Sequence, residues 1–264
     1  MVGNKLDKSY KVWDQLSHAY IESGEYDKAL KYLHRVLEEA KDSQDSLTQS
    51  HVYNSIGKVY YKKKDYDIAL KFRVKSLNIR QSLRSRRYVA ESLNDIGVIY
   101  QSLNRFDKAM EFYNKCHSLL DGQNLKDWQA IALSNIASAS YYIRDFSRSE
   151  KCYLKSLQIF QGLGDSRQVA DVSYNLGIIY SSQKEFVKSL RAYHKSLENY
   201  DMTRNKGRMA LCEKRIGDIL YDNKQFRDAY GYYINSVKHI EKEDALNYYD
   251  VQIKINKIEE SGAV

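Results

Sequence analysis

The feature that most constrains this chain is a repeat of 40 residues. Six segments align without gaps at that spacing: Leu16–Tyr20, Ile56–Tyr60, Ile96–Tyr100, Ile136–Ser140, Leu176–Tyr180 and Ile216–Leu220. A fixed period of this size is typical of solenoids, in which one supersecondary unit is stacked on the next. The 264 residues are therefore predicted to form a single elongated domain, 1–264, and not two ordinary globular domains.

Within each copy the apolar positions have helical spacing. Trp13, Leu16 and Tyr20 lie at i, i+3 and i+7, on one face of a helix. Further columns predict a second helix, since an aromatic residue follows the Leu/Ile column and a small residue follows the aromatic. The aromatic column is Tyr26, Tyr66, Phe106, Phe146, Phe186 and Phe226, and the small column is Ala29, Ala69, Ala109, Ser149, Ser189 and Ala229.

A small residue also follows the Leu/Ile column itself, as in Gly57 and Gly97. A residue of this size lets the second helix of a pair approach the first closely. The chain contains no proline and only 12 glycines. This composition indicates helices joined by short turns, and the 43% of hydrophobic residues is sufficient for a folded core.

These columns resemble the tetratricopeptide repeat, a module of two antiparallel helices. The resemblance covers about residues 8 to 240 and implies an all-α fold, a right-handed superhelical solenoid of six antiparallel helix pairs with a C-terminal capping helix. The 40-residue form, with stretches such as Ala90–Gly97 and Leu163–Asp165, is similar to the Leu-Gly-Asn-repeat (Pins-type) adaptors and to bacterial sensor and regulator proteins. The expected repeats are 8–46, 47–86, 87–126, 127–166, 167–206 and 207–242.

The two ends of the array are predicted to differ. Residues 243–260 can form a thirteenth helix of polar character, as the open end of a solenoid requires. The first helix carries Trp13 directly and has no equivalent cap. Either a missing segment or a partner, which could be a second copy of the chain, is therefore expected to cover the N-terminal end.

Several function classes are disfavoured by what the sequence lacks. No apolar run reaches the roughly 20 residues of a membrane span, and residues 1–10 lack the apolar segment of a signal peptide. Cys116, Cys152 and Cys212 are odd in number and irregular in spacing, which favours buried, reduced thiols. These observations predict a cytoplasmic protein without a membrane partner.

Catalytic and metal-binding motifs are also missing. The sequence contains no Gly-rich phosphate loop, no G-x-S-x-G and no H-E-x-x-H. None of its six histidines has another histidine three or four residues away along a helix. We therefore expect no enzymatic activity, no cofactor and no metal.

The resemblance places a binding groove on the concave surface, which the first helices of the pairs form. Asparagine amides in such a groove can pair with the backbone of an extended peptide; alternatively, they bridge neighbouring helices or are merely exposed. The side chains expected to project into the groove are Asn54, Lys58, Tyr61, Asn94, Gln101, Asn135, Tyr141, Tyr174, Asn175 and Arg215.

One charge cluster lies elsewhere. Residues 71–87 contain seven basic side chains and no acidic one, with Arg80, Arg84, Arg86 and Arg87 at the end of the second helix of copy two and in the turn after it. An acidic or nucleic-acid partner could use this strip. A solvated outer face is the preferred interpretation, since the strip lacks the exposed aromatics of single-strand binders.

Three functions remain open at this point. The first is a non-enzymatic scaffold whose groove binds a peptide or a helical segment of a partner protein. The second is a ligand- or peptide-sensing regulatory module of a bacterial signalling or transcription-control protein. The third is a nucleic-acid-associated repeat protein that uses the strip from Lys71 to Arg87.

Overall fold

The structure is a computed structural model that describes the backbone of residues 3–120, 122, 124–240 and 244–264. Side chains are described from residue 12 onward within these ranges, except that of residue 14. The described residues form thirteen helices. They are α1 (Gly3–Glu22), α2 (Tyr26–Asp42), α3 (Ser46–Lys62), α4 (Tyr66–Ser82), α5 (Arg86–Ser102), α6 (Phe106–Leu120), α7 (Lys126–Tyr142), α8 (Phe146–Leu163), α9 (Ser166–Ser182), α10 (Phe186–Met202), α11 (Lys206–Asp222), α12 (Phe226–His239) and α13 (Ala245–Glu260).

The residues separate into two compact units, Met1–Ala139 and Ser140–Val264. In the first unit consecutive helices from α1 to α6 pack against one another, and in the second unit consecutive helices from α8 to α13 do so. We refer to these units as unit 1 and unit 2, to the odd-numbered helices α1–α11 as first helices, and to α2–α12 as second helices. The all-α fold of stacked helix pairs is confirmed. The single domain and the limits of the individual repeats remain predictions.

Tyrosine-over-glycine packing joins the two helices of several pairs. A Cβ atom built on Gly97 would lie 2.5 Å from a ring carbon of Tyr113, and one built on Gly177 would lie 2.6 Å from the ring of Tyr193. Gly217 has the same relation to Tyr233, at 2.7 Å. The prediction that a small residue permits close helix approach is thus confirmed, because any larger side chain would occupy the space of the ring.

Serine hydroxyls make a second contact within the pairs. Ser76 Oγ donates to the backbone carbonyl of Ser50 at 2.8 Å, and Ser196 Oγ donates to that of Ala170 at the same distance. The carbonyl of Ala210 accepts from Ser236 Oγ at 2.9 Å. Each hydroxyl is fully buried, so these hydrogen bonds satisfy polar groups at the helix contact.

Most of the described turns between helices share one backbone conformation, with a left-handed residue after the helix. Lys64 has φ of 64°, its N–H donates to the Tyr61 carbonyl at 3.0 Å, and the N–H of Asp65 donates to the Tyr60 carbonyl at 2.9 Å. This is the Schellman motif, which satisfies the last carbonyls of a helix. Most such positions carry a residue other than glycine: Gln44, Lys64, Arg84, Asn104, Arg144, Lys184, Arg204 and Lys224.

The last helix, α13, lies within the range 243–260 predicted for a cap; residues 241–243 are outside the described residues. It buries Val251, Ile255 and Ile258 in the core that it shares with α12. Its outer side is less polar than predicted, since Leu246 and Tyr249 are 84% and 66% exposed. At the other end, Trp13 stacks on Tyr32 with centroids 5.2 Å apart, and the side chains of residues 1–11 lie outside the described residues.

None of the described helices combines the length and the apolar character that a bilayer crossing requires.

Candidate functional site

The first helices of unit 1 present a polar face on which side chains of consecutive first helices contact one another. Lys58 Nζ on α3 donates to Glu22 Oε1 on α1 at 3.1 Å and lies 3.2 Å from His18 Nε2. The hydrogen bond from Lys58 lowers the pKa of the Glu22 carboxyl. The cation is thus held at a defined position on this face.

Tyr61 and Gln101, two further polar residues of this face, also make hydrogen bonds to side chains of the next first helix. Tyr61 Oη lies 3.0 Å from Ser102 Oγ on α5. Gln101 Nε2 donates to Ser138 Oγ on α7 at 3.1 Å, while Gln101 Oε1 accepts from the Tyr113 hydroxyl at 3.1 Å. Both side chains are therefore restrained before any partner arrives.

The asparagines bridge neighbouring first helices. Asn135 Nδ2 on α7 donates to Asn94 Oδ1 on α5 at 2.6 Å. Asn54 Nδ2 on α3 donates to Glu91 Oε1 on α5 at 3.1 Å. These asparagines therefore bridge neighbouring helices, which was one of the two interpretations from the sequence. Because part of the hydrogen-bonding capacity of each amide is already used, only the remainder is available to a ligand.

A buried network of charged and polar side chains around Arg73 lies beneath the same face, and it was not predicted from the sequence. Arg73 on α4 is 7% exposed, and its guanidinium donates to Asp95 Oδ2 at 2.5 Å and to Asn54 Oδ1. The side chain of Arg73 passes over Gly57, where other pairs place a tyrosine over the glycine. The repeat alignment did indicate that Arg73 is buried at the helix contact, because it aligns with Tyr113 and Tyr193 at the 40-residue spacing.

These residues surround a pocket of about 320 Å³ in unit 1. Its lining combines cationic side chains, carboxylates, an amide and a phenol hydroxyl with two aliphatic side chains. The residues are Asn54, Lys58, Tyr61, Lys62, Arg73, Glu91, Asp95, Val98 and Ile99. Of the residues proposed from sequence, the pocket brings together Asn54, Lys58 and Tyr61, while Asn94, Gln101 and Asn135 lie outside its lining.

The first helices of unit 2 carry a separate polar face. Tyr141 Oη lies 3.1 Å from Ser182 Oγ, and Arg215 Nε donates to the Tyr174 hydroxyl at 3.4 Å. The half-buried Asn175 makes no side-chain hydrogen bond to a described residue. The four residues expected here lie on first helices, and three of them make cross-helix contacts. Their projection into a groove remains a prediction.

Charged pairs continue this face onto the last helix. Lys214 Nζ on α11 lies 2.6 Å from Asp250 Oδ2 on α13, and Lys254 on α13 pairs with Asp218 on α11. The Tyr233 hydroxyl donates to Asp218 at 3.0 Å. These pairs were not predicted, because the sequence does not show which charges of α11 and α13 meet.

The basic strip needs a correction at Arg80. This residue is fully buried, and its guanidinium donates to the Tyr88 carbonyl at 3.0 Å and to Ser92 Oγ at 2.9 Å. Arg80 occupies the column of Leu120, which is a core position. Arg73 is buried as well, so the exposed part of the strip at its C-terminal end is reduced to Arg84, Arg86 and Arg87.

Cys116 and Cys212 are buried as predicted, whereas Cys152 is only half-buried. Burial raises the pKa of the Cys116 and Cys212 thiols to about 12, so both are protonated and unreactive near neutral pH. His239 Nδ1 lies 2.8 Å from Glu213 Oε2, inside unit 2. No group of three or more potential metal ligands is found among the described side chains.

Stacked helix pairs with polar first-helix faces define an α-helical repeat protein. Comparison with protein families specifies which one: sequence profiles of the tetratricopeptide repeat match residues 12–47, 48–121 and 128–202. The chain belongs to the tetratricopeptide repeat family, as the column pattern predicted. A fold of this family suggests a scaffold for protein–protein interaction.

Solved structures agree on the fold. The chain superposes on BtubC (BKLC) from P. vanneervenii with a TM-score of 0.71 at 20% identity, covering 88% of this chain and 92% of that one. A signal transduction ATPase with a tetratricopeptide repeat sensor from Pyrococcus horikoshii gives 0.72 at 17%, covering 96% and 38%. A Rap protein complexed with competence and sporulation factor gives 0.69 at 13%, covering 96% and 76%. No curated protein matches the sequence.

Proposed function

We propose that the chain is a non-enzymatic scaffold that binds a peptide or a helical segment of a partner protein on the first-helix face of unit 1. The observation that carries the proposal is the pocket of about 320 Å³ around Asn54, Lys58 and Tyr61. It offers hydrogen-bond donors and acceptors side by side. An extended peptide has the same alternation along its backbone.

Restraint of these side chains supports binding. Lys58 is held by Glu22, Tyr61 by Ser102, and Asn54 by Glu91. Side chains that are already ordered lose little conformational entropy when a ligand arrives. The cross-helix bonds therefore favour recognition on this face while also stabilising the helix stack.

A random peptide library displayed on phage tests the proposal. Wild-type protein is expected to enrich a family of related peptides, whose affinity is then measured by calorimetry. The variant Lys58→Ala/Lys62→Ala removes two pocket cations and should weaken the selected peptides about tenfold or more. The matched control Lys71→Ala/Lys75→Ala removes two exposed cations of α4 and should bind as the wild type does.

Two outcomes would contradict this function. One is the absence of any enriched sequence family with the folded wild-type protein. The other is equal weakening by the pocket variant and by the α4 control, which would mean that net charge alone attracts the peptides. Circular dichroism and melting of both variants verify that each retains the fold.

A second candidate is a ligand- or peptide-sensing regulatory module. It is favoured by the structural likeness to a tetratricopeptide repeat sensor and to a Rap protein complexed with competence and sporulation factor. In that case a bound peptide should change the dimensions of the protein, which small-angle scattering with and without a library-selected peptide would detect. Unchanged dimensions at saturation would favour the passive scaffold.

Further parts of the proposal concern location and partners. We place the protein in the cytoplasm with a protein or peptide partner, and self-association through the N-terminal end remains part of the proposal. Nucleic acid is not favoured as a partner, because Arg73 and Arg80 are buried and are not available to phosphates.

A further inference from the structure

The outer side of two second helices in unit 2 carries a group of basic side chains. On each helix they lie at i, i+3 and i+7, a spacing that places three residues on one side of a helix. Five of the six residues are exposed to solvent, and the sixth, Lys195, is partly exposed. The group, which we call the α8–α10 basic face, consists of Arg148, Lys151, Lys155, Lys188, Arg191 and Lys195.

The two rows of this face occupy equivalent positions in the repeat. Arg148, Lys151 and Lys155 of α8 are each matched by a basic residue 40 positions later, on α10. Both helices pack against α9 within unit 2. Because equivalent positions of stacked repeats point to the same side, the two rows form one surface.

Little of this positive charge is neutralised inside unit 2. Lys188 forms an ion pair with Glu185, whereas the carboxylate of Glu150 accepts a hydrogen bond from the Tyr180 hydroxyl at 2.9 Å. Glu198 is an exposed acidic residue at the C-terminal end of the α10 row. Four cationic groups of the face make no hydrogen bond or ion pair with a described side chain: Lys151, Lys155, Arg191 and Lys195.

This arrangement of like charges lowers the stability of the free protein. Cations three or four residues apart on a helix repel each other, as Arg148 and Lys151 do on α8. On α6, by contrast, opposite charges meet at this spacing in the ion pair of Glu111 and Lys115. A bound anionic group would offset the repulsion on α8 and α10, so the basic face is suited to a partner of negative charge.

The second helices of unit 1 differ in the column next to their basic residues. That column holds Asp27, Asp67 and Asp107 in unit 1, and all three are exposed. On α8 and α10 it holds Ser147 and Val187. The α8–α10 basic face is therefore not flanked by a row of carboxylates that would compete with an anionic partner for the cations.

Exposed aliphatic side chains lie among the cations. Leu154, three residues after Lys151, is 45% exposed, and Val187, four residues before Arg191, is 65% exposed. A partner with apolar groups gains free energy by covering them, which a phosphate backbone does not because its surface is polar. The aromatic residues of α8 and α10 are buried or half-buried, so the face offers neither stacking platforms for bases nor aromatic membrane anchors. These features favour a protein segment over a nucleic acid or a lipid surface.

We propose that the α8–α10 basic face binds an acidic segment of a partner protein that also carries aliphatic side chains. The cations pair with carboxylates of that segment, and Leu154 and Val187 pack against its apolar residues. The face lies on second helices of unit 2, so the proposal does not rest on the first-helix pocket of unit 1.

Fluorescence anisotropy with two labelled, blocked peptides tests the proposal. One peptide intersperses leucines among glutamates, and the other has serine in place of each leucine. The wild type should bind the Glu/Leu peptide more tightly than the Glu/Ser peptide, and added salt should weaken both.

A quadruple variant that neutralises the four unpaired cations should weaken binding of the Glu/Leu peptide about tenfold or more. Its changes are Lys151→Gln, Lys155→Gln, Arg191→Gln and Lys195→Gln. A matched control removes the same charge from the equivalent columns of α2 and α4 in unit 1 and should bind nearly as the wild type does. Its changes are Lys31→Gln, Arg35→Gln, Lys71→Gln and Lys75→Gln.

Duplex DNA, single-stranded RNA and vesicles of phosphatidylcholine with phosphatidylserine are measured beside the peptides. The proposal is overturned if the wild type fails to bind the Glu/Leu peptide, or if the two quadruple variants weaken it equally, since net charge alone would then attract it. Equal affinity for the two peptides, or tighter binding of a nucleic acid or the vesicles, would also overturn it. Circular dichroism melting verifies that each variant retains the fold.

Discussion

The guanidinium of Arg80 lies 3.3 Å from the carboxylate of Glu91 and joins α4 to α5 inside unit 1. Arg80 is fully buried, while Glu91 also accepts a hydrogen bond from Asn54. Burial raises the pKa of the Glu91 carboxyl. A charge removed from water in this way is tolerable only while its partner and its hydrogen bonds are in place.

Removal of the arginine is therefore expected to destabilise unit 1. Arg80→Met should lower the free energy of unfolding by about 3–5 kcal/mol, because it leaves the Glu91 carboxylate without its buried partner. Denaturant unfolding monitored by circular dichroism measures the change. The control Arg84→Met removes an exposed arginine from the following turn and should stay within about 0.5 kcal/mol of the wild type.

The double variant Arg80→Met/Glu91→Met distinguishes the effect of removing one partner from the effect of replacing the whole ion pair. Since a buried ion pair can often be replaced by apolar groups at little cost, the double variant should recover much of the lost stability. If Arg80→Met alone were as stable as the wild type, Arg80 would have to be exposed to solvent and would belong to the basic strip.

The fold was predictable from sequence because its determinants recur. Gly97 and Tyr113 contact each other across one helix pair, and Gly177 and Tyr193 repeat the contact at the 40-residue spacing. Steric packing of this kind depends on the local pair alone, so aligned columns are sufficient to infer it. The turn at Lys64 was harder to predict from the sequence, because a lysine occupies the left-handed position where glycine is expected.

The candidate site was predictable only in part, because it depends on pairings between different copies. Position on a first helix could be inferred for Asn94 and Asn135, but not that the two amides bond to each other. Arg80 was assigned to the surface on the strength of its charge, although its column is otherwise apolar. In a repeat protein the column is the better guide to burial, and the chemical type of the residue is secondary.

Gly97→Ala tests the tyrosine-over-glycine contact. The added Cβ would lie 2.5 Å from the Tyr113 ring, which is 1% exposed and has little room to move. We expect a loss of about 1–3 kcal/mol in the free energy of unfolding. Gly231→Ala is the matched control and should be stabilising by up to about 1 kcal/mol, since its Cβ enters open space and alanine favours the helix. Equal melting temperatures for the two variants would contradict the packing.

Lys64→Gly should stabilise the turn between α3 and α4. Lys64 has φ of 64°, a conformation that costs an L-residue about 1 kcal/mol and that glycine adopts freely. The gain expected in thermal unfolding is about 0.5–1 kcal/mol. The neighbouring change Lys63→Gly should be destabilising, because Lys63 has φ of −70° and gains nothing from glycine. A loss of stability in both variants would show that the left-handed turn is not formed.

Glu213 provides a prediction about pH. It is 4% exposed on α11, with Oε2 2.8 Å from His239 Nδ1, and burial raises the pKa of its carboxyl. A carboxyl whose pKa is higher in the folded state binds its proton more readily there than in the unfolded chain. Its contribution to stability is therefore fully present below the unfolded pKa and is lost as the pH rises through the folded pKa.

Glu213→Gln removes this titration while keeping a polar side chain that can bond to His239. The stability of the variant relative to the wild type should therefore increase as the pH rises from about 4 to about 7. Urea unfolding of both proteins across that interval measures the difference. If the relative stability of the variant instead falls as the pH rises, the carboxylate is stabilised as a charged partner of His239, and the dominant effect at this site is ion pairing and not burial.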